Sequence, residues 1–216
     1  MFRRIKQLFI FPMSKKTSTV LLGSGDQWEV QTDSLNADSF IVSAGVGHSI
    51  TFEQDIIARY NTNIILFDPS PTGLKTIDNL SDRKNIEFHP VGLAGKSGDV
   101  QFGLPDRAEE GSFRKGTGGD GPSFSCTTLL DVMHTHGRSH IDLLKLDVEG
   151  FEYEIIQSVL DDNLDIRQIC LEIHHNRVIS IEQTIWDAAS LIFRLFLRGY
   201  RIIYNKNMDF TFVKAA

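Results

Sequence analysis

Two segments hold most of the chemistry that this sequence can do. In Leu144-Lys145-Leu146-Asp147-Val148-Glu149-Gly150-Phe151-Glu152, two carboxylates two residues apart end an apolar run, and Gly150 lets the chain turn sharply. In Gln168-Ile169-Cys170-Leu171-Glu172-Ile173-His174, an acid and an imidazole end another. If each run is a strand that continues, Asp147 shares a face with Glu149, and Glu172 with His174. Groups of these types can orient a nucleophile, take its proton or face a cation. Asp147, Glu149, Glu172 and His174 are therefore the candidate catalytic residues. His174, which titrates near neutrality, or Asp147 is the expected base, with Glu149 and Glu172 orienting the base or the substrate. The same oxygens plus imidazole are also metal-ligand types. No tight ligand spacing accompanies them, and no metal is assigned. Glu152 reads as an acid that offsets a helix N-terminus.

A second constellation points to a cofactor. Gly45-Val46-Gly47 follows an apolar run and precedes a helical period, where missing side chains let a ligand approach the backbone. Asp68 lies 23 residues beyond Gly45 at the end of the next apolar run. That spacing suits a carboxylate accepting hydrogen bonds from both hydroxyls of a ribose. Gly45, Gly47 and Asp68 are the candidate cofactor-binding residues, and the cofactor contains adenosine. A dinucleotide fingerprint has a third glycine at position 50, near a pyrophosphate, where this chain has Ile50. S-adenosylmethionine has no pyrophosphate and is preferred over NAD. His134-x-His136 with His140 reads as solvated surface, whereas Arg114-Lys115, inside a glycine-rich stretch, reads equally as a lid that contacts an anionic or sugar-like substrate and as a solvated loop.

The elements that must position these residues alternate. Apolar runs at 40–42, 64–67, 86–88, 141–147 and 168–174 predict strands. Helical periods follow over 52–60, from Ser70-Pro71 to Leu80, over 151–160 and over 181–196, with a smaller helix at 127–136. Residues 98–104 predict an extra strand, and 105–124 a loop that closes over the substrate side. Residues 200–204 and 210–213 predict a closing hairpin that turns at Asn205-Lys206-Asn207. Such alternation gives an α/β fold: a mostly parallel sheet covered on both faces, with ligands at the carboxyl ends of its strands. An antiparallel hairpin after the last helix marks the methyltransferase variant of the Rossmann-like sheet.

The chain of 216 residues carries a net charge of −6, which argues against a general nucleic-acid binder. Arg3, Arg4, Lys6, Lys15 and Lys16 fall in residues 1–16 with no acid, so the acidity lies in the rest. Residues 1–25 read as a basic leader and 26–216 as one domain. Phe2, Ile5 and Phe9 share a helical face, but the apolar run Leu8-Phe9-Ile10-Phe11 is too short for a secretory signal. No stretch has the ~18 apolar residues of a membrane span. Cys126 and Cys170 stand in no ligand motif and read as reduced thiols, one on the surface and one buried, which fits a cytoplasmic protein.

SAGVGHSITFE (43–53), LFDPSP (66–71), LLKLDVEGFEYE (143–154) and LEIHH (171–175) together resemble the FkbM-type S-adenosylmethionine-dependent methyltransferases. The resemblance runs over about residues 26–213. It implies the class I methyltransferase fold and O-methylation of a hydroxyl on a sugar or natural-product-like small molecule. It carries Gly45 and Gly47 to the cofactor turn, Asp68 to the ribose, and Asp147 and Glu149 to the reacting centre. The broader class I pattern has an acid at position 43 and glycine at 49, where this chain has Ser43 and Ser49. Two rival functions remain: a silent cofactor-binding module that acts through a partner, and an NAD-dependent oxidoreductase.

Overall fold

The computed structural model describes residues 18–24, 27–106, 111–116 and 121–215. The leader's helical face and part of the 105–124 loop lie outside them. The chain opens with an antiparallel ribbon of β1 (Thr19–Leu22) and β2 (Trp28–Gln31). Two strand–helix–strand units follow: β3 (Ile41–Ala44), α1 (Thr51–Tyr60), β4 (Ile64–Phe67), α2 (Pro71–Asp78) and β5 (Ile86–His89). β6 (Gly92–Leu93), β7 (Gly98–Gly103), β8 (Arg114–Lys115) and β9 (Ser123–Thr127) build a small second sheet. Then come α3 (Leu129–Thr135), β10 (Ile141–Leu146), α4 (Glu152–Asp161), β11 (Ile166–Glu172), α5 (Ile185–Leu197), β12 (Tyr200–Lys206) and β13 (Asp209–Lys214).

The main sheet has seven strands in the order β12-β13-β11-β10-β3-β4-β5. Its strands are parallel except β13, which runs against both β11 and β12. This is the class I methyltransferase arrangement. From β3 the chain adds β4 and β5 on one side, and later β10 and β11 on the other. The order therefore reverses between β3 and β10, and a crevice opens at their carboxyl ends. Every residue of β3, β4 and β10 is buried. Strands covered on both faces read as continuous apolar runs, and for that reason these three are visible in the sequence.

Helix starts follow side-chain capping. Ser70 Oγ accepts the Gly73 N–H at 3.0 Å with Pro71 at the first helical position, and Thr184 and Asp187 form a reciprocal capping box on α5. The Gln168 side chain helps tie the ribbon to the sheet. The buried Gln168 amide accepts from Gln31 N and donates to Gln31 O, both at 2.9 Å.

Several expectations are corrected. The 105–124 stretch is not all loop: Arg114–Lys115 pair with β7, and β9 begins at Ser123. Thr127 ends β9, and the next helix starts after Thr128, whose Oγ1 accepts the Asp131 N–H. α5 starts at Ile185, because Thr184 caps it there; Ile181 packs beside Gly150 instead. β12 runs on to Lys206, so the turn falls at Asn207, whose φ of 59° suits asparagine. Cys126 is buried like Cys170, and burial pushes the two thiols up to about 11 and about 12. Among the described residues no helix is long and apolar enough to cross a membrane.

Candidate functional site

β10 ends at Leu146, and the chain turns through Asp147–Gly150 instead of continuing as a strand. Glu149 sits at φ 49° and Gly150 at φ 102°. The turn, not strand parity, brings Asp147 and Glu149 to one place. A non-glycine residue held at positive φ costs energy that the surroundings must offset, and such residues cluster at functional sites. The offset here comes from Glu152, whose side chain is fully buried. Its carboxylate accepts Val148 N–H at 3.3 Å, Gly150 N–H at 2.9 Å and His174 Nδ1 at 2.7 Å. Glu152 is thus the clamp of the turn, a role the helix-dipole reading did not foresee.

His174 lies two residues past the end of β11. Its carbonyl accepts the Tyr153 hydroxyl at 2.6 Å, and the preceding Ile173 N–H donates to Met208 O at 3.0 Å. Its Nε2 stands 3.4 Å from Glu149 and 3.6 Å from Glu172. Burial alone would lower this imidazole's pKa; the Glu152 carboxylate overrides it, with Glu149 and Glu172 adding, and holds it well above the ordinary value. The three carboxylates around it thus favour its protonated form. One of its nitrogens lies within 4.8 Å of the Asp147 and Glu149 oxygens. Buried behind the cavity, its ring faces both Glu149 and Glu172.

A cavity of about 350 Å³ opens at the crevice. Gly45, Gly47, Asp68, Asp147, Glu149 and Glu172 all line it, and His174 does not. Gly45 has φ +90°, and a Cβ there would fall 1.7 Å from the Asp147 carbonyl oxygen, so no other residue fits. Asp68 is buried and already engaged: it accepts Val46 N–H at 2.9 Å, Gly47 N–H at 3.0 Å and Ser70 N–H at 2.8 Å. A carboxylate has about four acceptor directions, so three of those of Asp68 are spent on shaping the glycine turn.

Burial, then the nearby Asp147 carboxylate, pushes the Glu172 carboxyl up to about 9, against the opposing pull of His174. Glu172 is thus a protonated donor facing Asp147 at neutral pH. Because its folded pKa is raised, the stability it contributes is complete below the ordinary carboxyl range and is lost as pH rises toward 9. Glu172→Gln, which is always neutral, should remove that loss. Its Tm should gain on wild type between pH 5 and pH 9, by at most about 1.4 kcal/mol of stability per pH unit. Parallel Tm curves for the two proteins would show that Glu172 is ionised at neutral pH.

Three cavity residues escaped the sequence reading. Glu53, on the inward face of α1, accepts the Ser43 hydroxyl at 2.6 Å. It brings a carboxylate from the helix to the position where the class I pattern has an acid in the strand. Lys145 is buried, donates to Gly45 O at 2.8 Å, and lies 3.7 Å from Glu53 and 3.9 Å from Asp147. Trp28 of the ribbon covers it, with Nζ 5.3 Å from the ring centroid. An acid among the buried apolar positions of α1 was the one available signal for Glu53. The cavity is apolar along Val46, Phe67 and Leu93 and acidic at Asp147 and Glu149, with the Glu172 carboxyl beside them. That chemistry suits a ligand with a flat base at one end and a cation at the other.

Residues 31–202 match the family described as "Methyltransferase FkbM domain". A curated relative, the hexuronic acid methyltransferase AglP of Haloferax volcanii, is 25% identical over 122 residues, 55% of this chain and 50% of that protein. The chain thus spans about half the length of the curated relative it matches. Among solved structures, Methanococcus jannaschii fibrillarin, a pre-rRNA processing protein, is similar with a TM-score of 0.48 and 11% identity, over 95% of this chain and 86% of that one. Aeropyrum pernix fibrillarin with bound S-adenosyl-L-methionine gives 0.44 and 12%, over 85% and 68%. With the family match spanning most of its length, the protein belongs to the FkbM methyltransferase family, and its cofactor is S-adenosylmethionine, which the apolar wall and acidic end of the cavity fit.

Proposed function

We propose that this chain methylates a hydroxyl group of a small, sugar-like molecule. The observation that carries the reading is the convergence of Asp147, Glu149 and Glu172 on one cavity, with the Glu149 carboxyl held above its usual range. S-adenosylmethionine supplies a methyl already activated on a positive sulfur. The residues are left to align the acceptor and take its proton. As the hydroxyl oxygen bonds the methyl carbon and the carbon–sulfur bond breaks, Glu149 takes the hydroxyl proton. Burial raises its pKa first, and Asp147 adds to it, which brings the base closer to the working pH. Asp147 faces the positive end of the cofactor. Protonated Glu172 donates to the acceptor or to Asp147, and His174 positions both glutamates. Gly45, Gly47 and Asp68 form the cofactor turn. AglP's action on a hexuronic acid supports a sugar-like acceptor.

Calorimetric titration tests the cofactor. S-adenosylmethionine and S-adenosylhomocysteine should bind and NAD should not. Incubation with pools of sugars, uronic acids, glycosides and RNA, read by mass spectrometry, tests the acceptor. Methylated uronic acids or glycosides are the expected product. NAD binding would restore the oxidoreductase reading, transfer to RNA alone would overturn the small acceptor, and binding without turnover on any pool would favour the silent module.

A further inference from the structure

His134-x-His136 and His140 were set aside as solvated surface, yet the fold separates the three. His140 turns to Asp142, 3.4 Å away. His136, at the C-terminal end of α3, instead meets two residues of the edge strand β5. Its Nε2 is 3.1 Å from Glu87 Oε1, and His89 Nε2 is 2.8 Å from the same oxygen. One ligand atom from each residue lies within 4.8 Å of the others. None of the three lines the methyl-transfer cavity.

We propose that Glu87, His89 and His136 form a site for a divalent transition metal of the zinc class, which staples β5 to the end of α3. The donor set is two imidazoles and one carboxylate, the set that borderline cations such as zinc take, with water completing the coordination. Bonds of about 2.0–2.1 Å in a tetrahedron place neighbouring ligand atoms roughly 3.3 Å apart. The two imidazole–carboxylate distances need to open by only a few tenths of an ångström. His136 also carries the supporting contact that metal-binding histidines use. Its Nδ1 stands 2.8 Å from the Val132 carbonyl, which fixes the proton on Nδ1 and points the Nε2 lone pair at the cluster. His89 is held on its other side by the Phe67 ring, stacked at 5.1 Å and 12°. A carboxylate oxygen and imidazole lone pairs aimed at one point repel unless positive charge lies between them. Protons can supply that charge, and so can one metal ion.

The test uses zinc itself on the full chain. By competition with a chromophoric chelator, wild type should take up one zinc with micromolar or tighter affinity. His136→Ala and Glu87→Gln should each weaken uptake by ~100-fold or more, since loss of a supporting contact alone costs ~10–100-fold. Zinc at about a hundredfold above Kd should raise the wild-type Tm by roughly 5–10 °C, and that of His136→Ala hardly at all. Glu87→Gln keeps the side-chain shape and guards against a variant that fails to fold. A double change of His134 and His140 to Asn should bind zinc like wild type. Uptake lost in that double variant, or in Asp147→Asn but not in Glu87→Gln, would place the metal elsewhere. No uptake by wild type would mean that protons alone hold the cluster. Each of these results overturns the proposal, while the methyltransferase reading stands or falls separately on cofactor binding and turnover.

Discussion

Glu149→Gln is expected to lose turnover by ~10²–10⁴-fold, with S-adenosylhomocysteine affinity changed by less than about threefold. Gln keeps the length of Glu and can still accept the Ser112 hydrogen bond, so the turn should hold. It cannot take a proton. The pH profile supplies an independent arm. A base works only when deprotonated, and the Glu149 carboxyl is held above its ordinary value by burial and by Asp147, against the pull of His174. Wild-type kcat should therefore climb with pH through a carboxyl raised above the usual range and then level off. The residual activity of Glu149→Gln should lack that limb. Retained turnover, or an unchanged acid limb, would remove Glu149 as the base. Asp147→Asn should behave differently and weaken the cofactor.

The largest loss of stability is expected at Glu152. Glu152→Ala removes the charge partner of a buried imidazolium and orphans the Val148 and Gly150 N–H groups at once. Breaking a buried ion pair from one side costs about 3–5 kcal/mol, or a fall in Tm of roughly 6–20 °C for a domain of this size. The sign of its pH dependence follows from His174. That group's folded pKa lies well above its unfolded value, so the stability it contributes is complete below about pH 6.5 and drains away as pH rises through the folded pKa. Denaturation of wild type and variant at pH 6 and pH 9 should show a gap that narrows at the alkaline end. A gap that is small, or that widens with pH, would mean that His174 is neutral in the folded protein.

How much of this was legible in the sequence depended on how far apart the partners lie. β3, β4 and β10 declare themselves as apolar runs, and Ser70-Pro71 announces α2, because each signal sits within a few residues. Gly45, Asp68 and the Asp147-x-Glu149 pair were visible because strand ends are where such sheets bind ligands. Lys145 and Glu53 were not. They meet because Lys145 pairs in register with Ser43, and Ser43 touches Glu53. No local pattern encodes a register between strands 100 residues apart. His174 stands out as a residue, but Glu152, which biases its protonation from across the turn, is not shown by any local pattern. Asp68 was likewise found, but the three N–H groups that occupy it belong to a turn whose shape the sequence does not spell out.

The reversed strand β13 also sets a timetable for synthesis. It lies between β11 and β12, yet it is made after both. Until residues 209–214 have left the ribosome, β11 has a bare edge that carries Ile169 and Leu171, and Phe210 and Phe212 are missing from the core. An unpaired apolar edge is a template for other chains. The nascent protein should therefore depend on chaperone shelter for longest just before the sheet can close, and a ribosome stalled upstream of β13 should release a chain that aggregates.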